Sequence, residues 1–154
     1  LNKEYVVTIE LGKLSTTDDA EGRITENTES SHLNSREITE RIQKFIGPIV
    51  QIPPIYSAVH VNGERAYRLA RQGKIVDLPV RQVKIFSIKI LEYNNPFLTL
   101  KVNCSHGTYI RSLARDLGGY VTALRRTKIG EYDVSSATSL AQIETTQNQP
   151  LRPE

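Results

Sequence analysis

The chain has 154 residues, 38% apolar and 24% charged, which suits one soluble domain with its own core and excludes a disordered chain. Cys104 is the single cysteine, so no internal disulfide can form, and no apolar run is long enough for a membrane span. The formal net charge of +3 is only a weak pointer to a nucleic-acid partner.

The chain opens directly on a strand-like pattern with no visible secretory leader, so a cytoplasmic setting is expected. Tyr5 to Gly12 predicts a strand ended by glycine, with Tyr5, Val7, Ile9 and Leu11 on one face. Ser15 to Gly22 is turn chemistry, in which the adjacent carboxylates Asp18 and Asp19 read as turn formers that bond nearby backbone amides. A short strand is expected over Arg23–Thr28 and a loop over Ser30–Asn34. A helix then starts near Asn34 or Ser35. Asn34 and Glu37 approximate a capping box, Ile38, Ile42, Phe45 and Ile46 form a buried stripe, and Gly47-Pro48 stops the helix.

The prolines of Gln51-Ile52-Pro53-Pro54-Ile55-Tyr56 keep that stretch extended. Val59–Gly63 reads as a short strand or turn and Arg65–Gln72 as a short helix ended by Gly73. Val83–Leu91 and Phe97–Cys104 alternate strongly and are read as a hairpin joined at Tyr93-Asn94-Asn95-Pro96. Thr108–Gly118 predicts a helix with Ile110, Leu113, Ala114 and Leu117 on one face. Gly119–Arg126 reads as a helical continuation, Ile129–Val134 as a last short strand, and the chain from Thr145 as a polar tail. The fold class is α+β, an antiparallel or mixed sheet with flanking helices, and not a βαβ array.

No nucleophile elbow, phosphate loop or metal-spaced Cys/His set occurs, and His32, His60 and His106 read as surface or structural residues. The most informative stretch is Cys104-Ser105-His106-Gly107-Thr108-Tyr109-Ile110-Arg111, where a strand ends and a helix begins. A helix N-terminus favours anionic groups, an arginine there can clamp a carboxylate or phosphate, and Tyr109 offers a ring for stacking on a base. A structural ion pair for Arg111 and a core position for Tyr109 and Tyr5 are the plainer alternatives.

Together these strings resemble the TruB family of tRNA pseudouridine synthases. The resemblance runs from Lys3 to about Leu140. It rests on Lys3-Glu4-Tyr5; on Leu11-Gly12 with Thr16 to Gly22; on Gln51 to Ala58; on Gly63 with Tyr67 to Gly73; and on Gly107 to Gly118 with Leu124 to Thr127. It implies that a uridine in the T-arm of tRNA is flipped into a pocket and isomerised to pseudouridine by an aspartate nucleophile, without metal or cofactor. Tyr5 then corresponds to the tyrosine stacked on the base and assisting proton removal. Arg111 corresponds to the arginine paired with the catalytic aspartate, and Tyr109 and Leu124 to residues lining the uracil pocket. Residues 57–79 resemble an insertion that grips the RNA, which makes Arg65, Tyr67, Arg68 and Arg71 candidate contacts.

The family's Gly-Thr-Leu-Asp-Pro type motif is not found here, so the nucleophile is expected in a missing N-terminal segment, and Asp18 and Asp19 are not promoted to it. A short family loop between Gly118 and Gly119 is also missing. Residues 1–144 are therefore read as an N-terminally incomplete catalytic domain and 145–154 as a tail or the start of a further domain. The partner is expected to be tRNA, the protein a monomer, and an inactive tRNA-binding or tRNA-folding module the rival reading.

Overall fold

The computed structural model describes residues 2–54, 60–61, 64–65, 71–72, 79–129 and 132–133. The chain runs β1 (Lys3–Leu11), β2 (Lys13–Ser15), β3 (Ile24–Glu26), a 3-10 turn (Thr28–Ser30) and α1 (Ser35–Gln43). It continues through β4 (Gly47–Gln51), β5 (His60–Val61), β6 (Glu64–Arg65), β7 (Arg81–Asn94), β8 (Phe97–Cys104), α2 (Ile110–Leu117), β9 (Gly119–Ile129) and β10 (Tyr132–Asp133). Six strands form one antiparallel sheet in the order β10-β9-β1-β8-β7-β4, and β2-β3 and β5-β6 are small separate ribbons. The α+β expectation is met.

β1 lies between β9 and β8. Tyr5, Val7, Ile9 and Leu11 all face the core, as the period-two pattern requires, and all are nearly fully buried. Burying each such side chain contributes about 1.5–3 kcal/mol. The same core takes Leu98, Leu100 and Val102 from β8, Ile38 and Ile42 from α1, and Ile110, Leu113, Ala114 and Leu117 from α2. Among the described residues no helix is long and apolar enough to cross a membrane.

The capping box is present in full: Asn34 Oδ1 accepts from the Glu37 amide at 2.9 Å, and Glu37 Oε1 accepts from the Asn34 amide at 3.1 Å. α1 ends at Gln43, however, so Ile46 lies beyond the helix and is exposed rather than part of the stripe. Gly47-Pro48 does not merely stop that helix; it opens β4, an edge strand paired with β7 and not expected from sequence. Pro at the second position of an edge strand costs no interior ladder bond.

The second correction concerns Gly119–Arg126, which is strand β9 and not helix. Gly118 closes α2 in the left-handed region at φ 107°, and a Cβ there would lie 2.5 Å from Ser30 Cβ. Ser30 Oγ donates to the Gly118 carbonyl at 2.5 Å and accepts from the Gly12 amide at 3.1 Å, which turns the chain onto β1. Of the expected last strand, Ile129 ends β9 and Tyr132–Asp133 forms β10, and the other residues lie outside the described ones. The hairpin of β7 and β8 and the face of α2 stand as expected. Arg65 is in β6 rather than helical, and the rest of the 65–72 reading lies largely outside the described residues.

Candidate active site

β8 leaves the sheet where Cys104 faces Lys3, α2 runs back along the sheet, and β9 re-enters where Gly119 faces Leu11. This path sets the head of α2 over the end of β1 that carries Tyr5. Tyr5 is 1% exposed and shares one core with Ile110, the residue between Tyr109 and Arg111. Its cross-strand neighbours are Val102 and Arg126, and the Arg126 guanidinium carbon lies 5.6 Å from the centre of the Tyr5 ring, a cation–π distance. Leu124 is half-buried against the same core, opposite Val7.

Tyr109 is the N-cap of α2, with extended backbone and no side-chain capping bond. Its amide donates to Gln51 Oε1 at 2.9 Å, and its carbonyl accepts from Gln51 Nε2 at 3.1 Å. Arg111 is only 3% exposed. Its Nη1 donates to the Thr17 carbonyl at 3.3 Å and to Asp19 Oδ2 at 3.5 Å. Asp19 also does what its turn requires, since Oδ1 accepts from Thr17 Oγ1 at 2.6 Å and from the Glu21 amide at 2.8 Å. The turn rests on β9, where the Val121 amide donates to the Asp18 carbonyl at 3.0 Å.

Asp18 is the one described non-glycine residue with positive φ, at 62°. Its Oδ2 accepts from Arg115 Nη1 at 3.3 Å, yet burial outweighs Arg115 and Arg111 and pushes its carboxyl up to about 6. Asp18 and Asp19 are thus the acidic partners of α2. Sequence reading found only their turn role, because nothing local marks an ion pair between residues more than 90 positions apart.

The remaining candidates separate. Arg71 is exposed, Arg65 is described only as backbone in β6, and Tyr67 and Arg68 lie outside the described residues. His32 and His106 are exposed, and Lys3 beside His106 pulls its imidazole below the usual value. No cluster of metal-ligating side chains occurs among the described residues.

Residues 1–110 match the sequence profile of the TruB family pseudouridylate synthase, N terminal domain. The chain belongs to the TruB family. It is similar to a protein of Haemophilus influenzae named tRNA pseudouridine synthase B, 41% identical over 149 residues, covering 93% of this chain and 47% of that protein. A protein of the same name from Francisella tularensis subsp. tularensis (strain WY96-3418) is 42% identical over 149 residues, covering 92% and 49%. The chain spans about half the length of the curated relatives it matches.

Among solved structures, a chain of a Cbf5-Nop10-Gar1 complex superposes with a TM-score of 0.60 at 24% identity, covering 86% of this chain and 32% of that one. A chain from an H/ACA RNP bound to a substrate RNA containing 2'-deoxyuridine gives 0.55 at 21%, covering 86% and 29%. These identities support the shared fold alone. Of the residues named from sequence, Tyr109 and Arg111 lie at the head of α2, and Tyr5 and Leu124 lie on the paired strands β1 and β9.

Proposed function

We propose that the full-length protein isomerises a uridine in the T-loop of tRNA to pseudouridine, as a cytoplasmic monomer using no metal or cofactor. The observation that carries this reading is the buried cation Arg111, fixed at the head of α2 above the core that holds Tyr5, in a chain of the TruB family.

Flipping the target base out of the loop costs a few kcal/mol, which contacts to the flipped base offset. A carboxylate nucleophile in a dry pocket must remain ionised, and a fixed guanidinium beside it favours the charged form. Arg111 supplies that guanidinium. Asp19 and the Thr17 carbonyl hold it in place, so little side-chain reorganisation is required when the nucleophile acts. Tyr5 is assigned the stacking on the flipped base and the proton removal from uracil C5, and Arg126 lies against its ring. Tyr109 and Leu124 complete the pocket wall. The glycosidic C1'–N1 bond breaks, the uracil rotates, and its C5 bonds to the sugar; the C5 proton leaves and N1, freed from the sugar, takes up a proton, so no atom is gained or lost overall.

The family's Gly-Thr-Leu-Asp-Pro type motif is not among the 154 residues, so the full-length protein is the species to assay. It should release tritium from tRNA labelled at uracil C5. Salt-dependent tRNA binding without release would instead identify an inactive binding module. Replacing Arg68 and Arg71, which lie with Arg65 and Tyr67 in the segment assigned to RNA gripping, should weaken tRNA binding and reduce its salt slope. An unchanged slope removes them from the RNA face.

A further inference from the structure

β4 ends on Gln51, the one position of that edge strand that is fully buried, at 0% exposed. Burying a primary amide is unfavourable unless its donor and acceptor are both used. Here both are used on a single residue: Gln51 Oε1 accepts from the Tyr109 amide and Gln51 Nε2 donates to the Tyr109 carbonyl. The side chain therefore pairs with Tyr109 as a neighbouring strand would. It holds the backbone of the N-cap residue of α2, whose own side chain makes no capping bond.

The next residue repeats the attachment. The Ile52 carbonyl accepts from Ser112 Oγ at 2.7 Å and from Arg115 Nη2 at 2.8 Å. Four hydrogen bonds thus tie the end of β4 to the first two turns of α2. Their endpoints on α2 and its N-cap, Tyr109, Ser112 and Arg115, bracket Arg111, and two of the four fall on Tyr109.

We propose that Gln51 is a positioning residue for the isomerisation, holding the head of α2 so that Tyr109 and Arg111 meet the flipped uridine in one fixed geometry. The role rests on the function proposed above and deepens it. An aliphatic side chain at position 51 would fill the volume as well, but would leave the Tyr109 amide and carbonyl without Gln51. The helix head would then lose two of its four bonds to the end of β4, and Tyr109 would shift and carry the adjoining turn with Arg111. A displacement of about 1 Å at a reacting centre is enough to cost on the order of 100-fold in rate.

The test uses the full-length protein in single-turnover tritium release from tRNA labelled at uracil C5, run below the melting temperature of each variant. Gln51→Met, nearly the same shape without either bond, should lower the rate constant about 100-fold and leave the tRNA Kd within about threefold of wild type. Gln51→Glu adds a readout that simple destabilisation does not move. Its carboxylate accepts from the Tyr109 amide but cannot donate, whereas its protonated form does both. Its rate relative to wild type should therefore rise as pH falls from 8 to 5.

A folded Gln51→Met with a near-wild-type rate overturns the positioning role. If Gln51→Met does not fold, a pH-independent ratio for Gln51→Glu overturns it. Wild-type protein that releases no tritium refutes the isomerase reading and the positioning role with it, so the two failures are distinguishable.

Discussion

Asp18 and Asp19 are neighbours in one turn, each faces an arginine of α2, and the protein treats them differently. Asp19 and Arg111 are both buried, with 4% of each side chain exposed, and Asp19 is held by three donors: Arg111, the Thr17 hydroxyl and the Glu21 amide. Asp18 meets Arg115 at the rim, where 27% of the arginine side chain is exposed, and burial raises its carboxyl to about 6. At Asp18 an adjacent guanidinium does not by itself offset burial. The inner carboxylate differs in its geometry, since two donors of its own turn add to the arginine. The inner pair is held from several sides by the turn, and Asp18 of the outer pair carries the raised carboxyl.

The largest effect should come from breaking the inner pair. Arg111→Ala leaves Asp19 buried without its cation, which should cost about 3–5 kcal/mol of stability, read as a fall in the urea midpoint. In the full-length protein it should also abolish turnover while leaving tRNA binding largely intact. Normal turnover in a folded variant would remove Arg111 from the site.

The outer pair should respond in the opposite direction. The folded-state pKa of Asp18 is raised from 3.8 to about 6. Its favourable contribution is therefore fully present below about pH 4 and is lost as pH rises through about 6, where the buried group must ionise. Asp18→Asn imitates the protonated form, and asparagine tolerates positive φ better than most residues. It should match wild type near pH 4 and be more stable by about 1–3 kcal/mol above pH 7. A variant that is less stable than wild type at pH 8 would refute the assignment.

The contrast between what was legible in the sequence and what was not follows the same local-versus-distant line. The buried faces of β1 and α2 were readable because Tyr5, Val7, Ile9 and Leu11, and Ile110, Leu113, Ala114 and Leu117, keep an unbroken period. β9 was misread because two register shifts against β1, at Glu4/Tyr5 and Thr8/Ile9, interrupt the alternation. Val121 and Leu124 then fall three residues apart, a spacing that looks helical. β4 was missed because its outward residues include exposed Val50, while its one fully buried residue is the polar Gln51. The motifs matched to the family named Tyr5, Tyr109, Arg111 and Leu124 as candidates by type and order. They could not show that Asp19 anchors Arg111 or that Gln51 pairs with Tyr109, because both contacts exist only after the sheet has formed.

The smallest expected effect isolates how much Arg115 does for Asp18. Of the charges acting on that carboxyl, Arg115 is the foremost one lowering its pKa, against the larger effect of burial. Arg115→Met keeps much of the side-chain length and removes the charge. It also removes a bond to the Ile52 carbonyl and a contact with Asp116 at 3.4 Å. The Asp18 carboxyl should then titrate above about 6, followed by its carboxyl carbon resonance across pH. Stability should fall by only about 1 kcal/mol, since a partly exposed pair is screened by solvent. The fall should shrink below the wild-type pKa, because a protonated Asp18 no longer needs the cation. An Asp18 titration that moves down instead would mean that Arg115 was not stabilising the ionised form, and the distinction drawn between the two pairs would have to rest on burial alone.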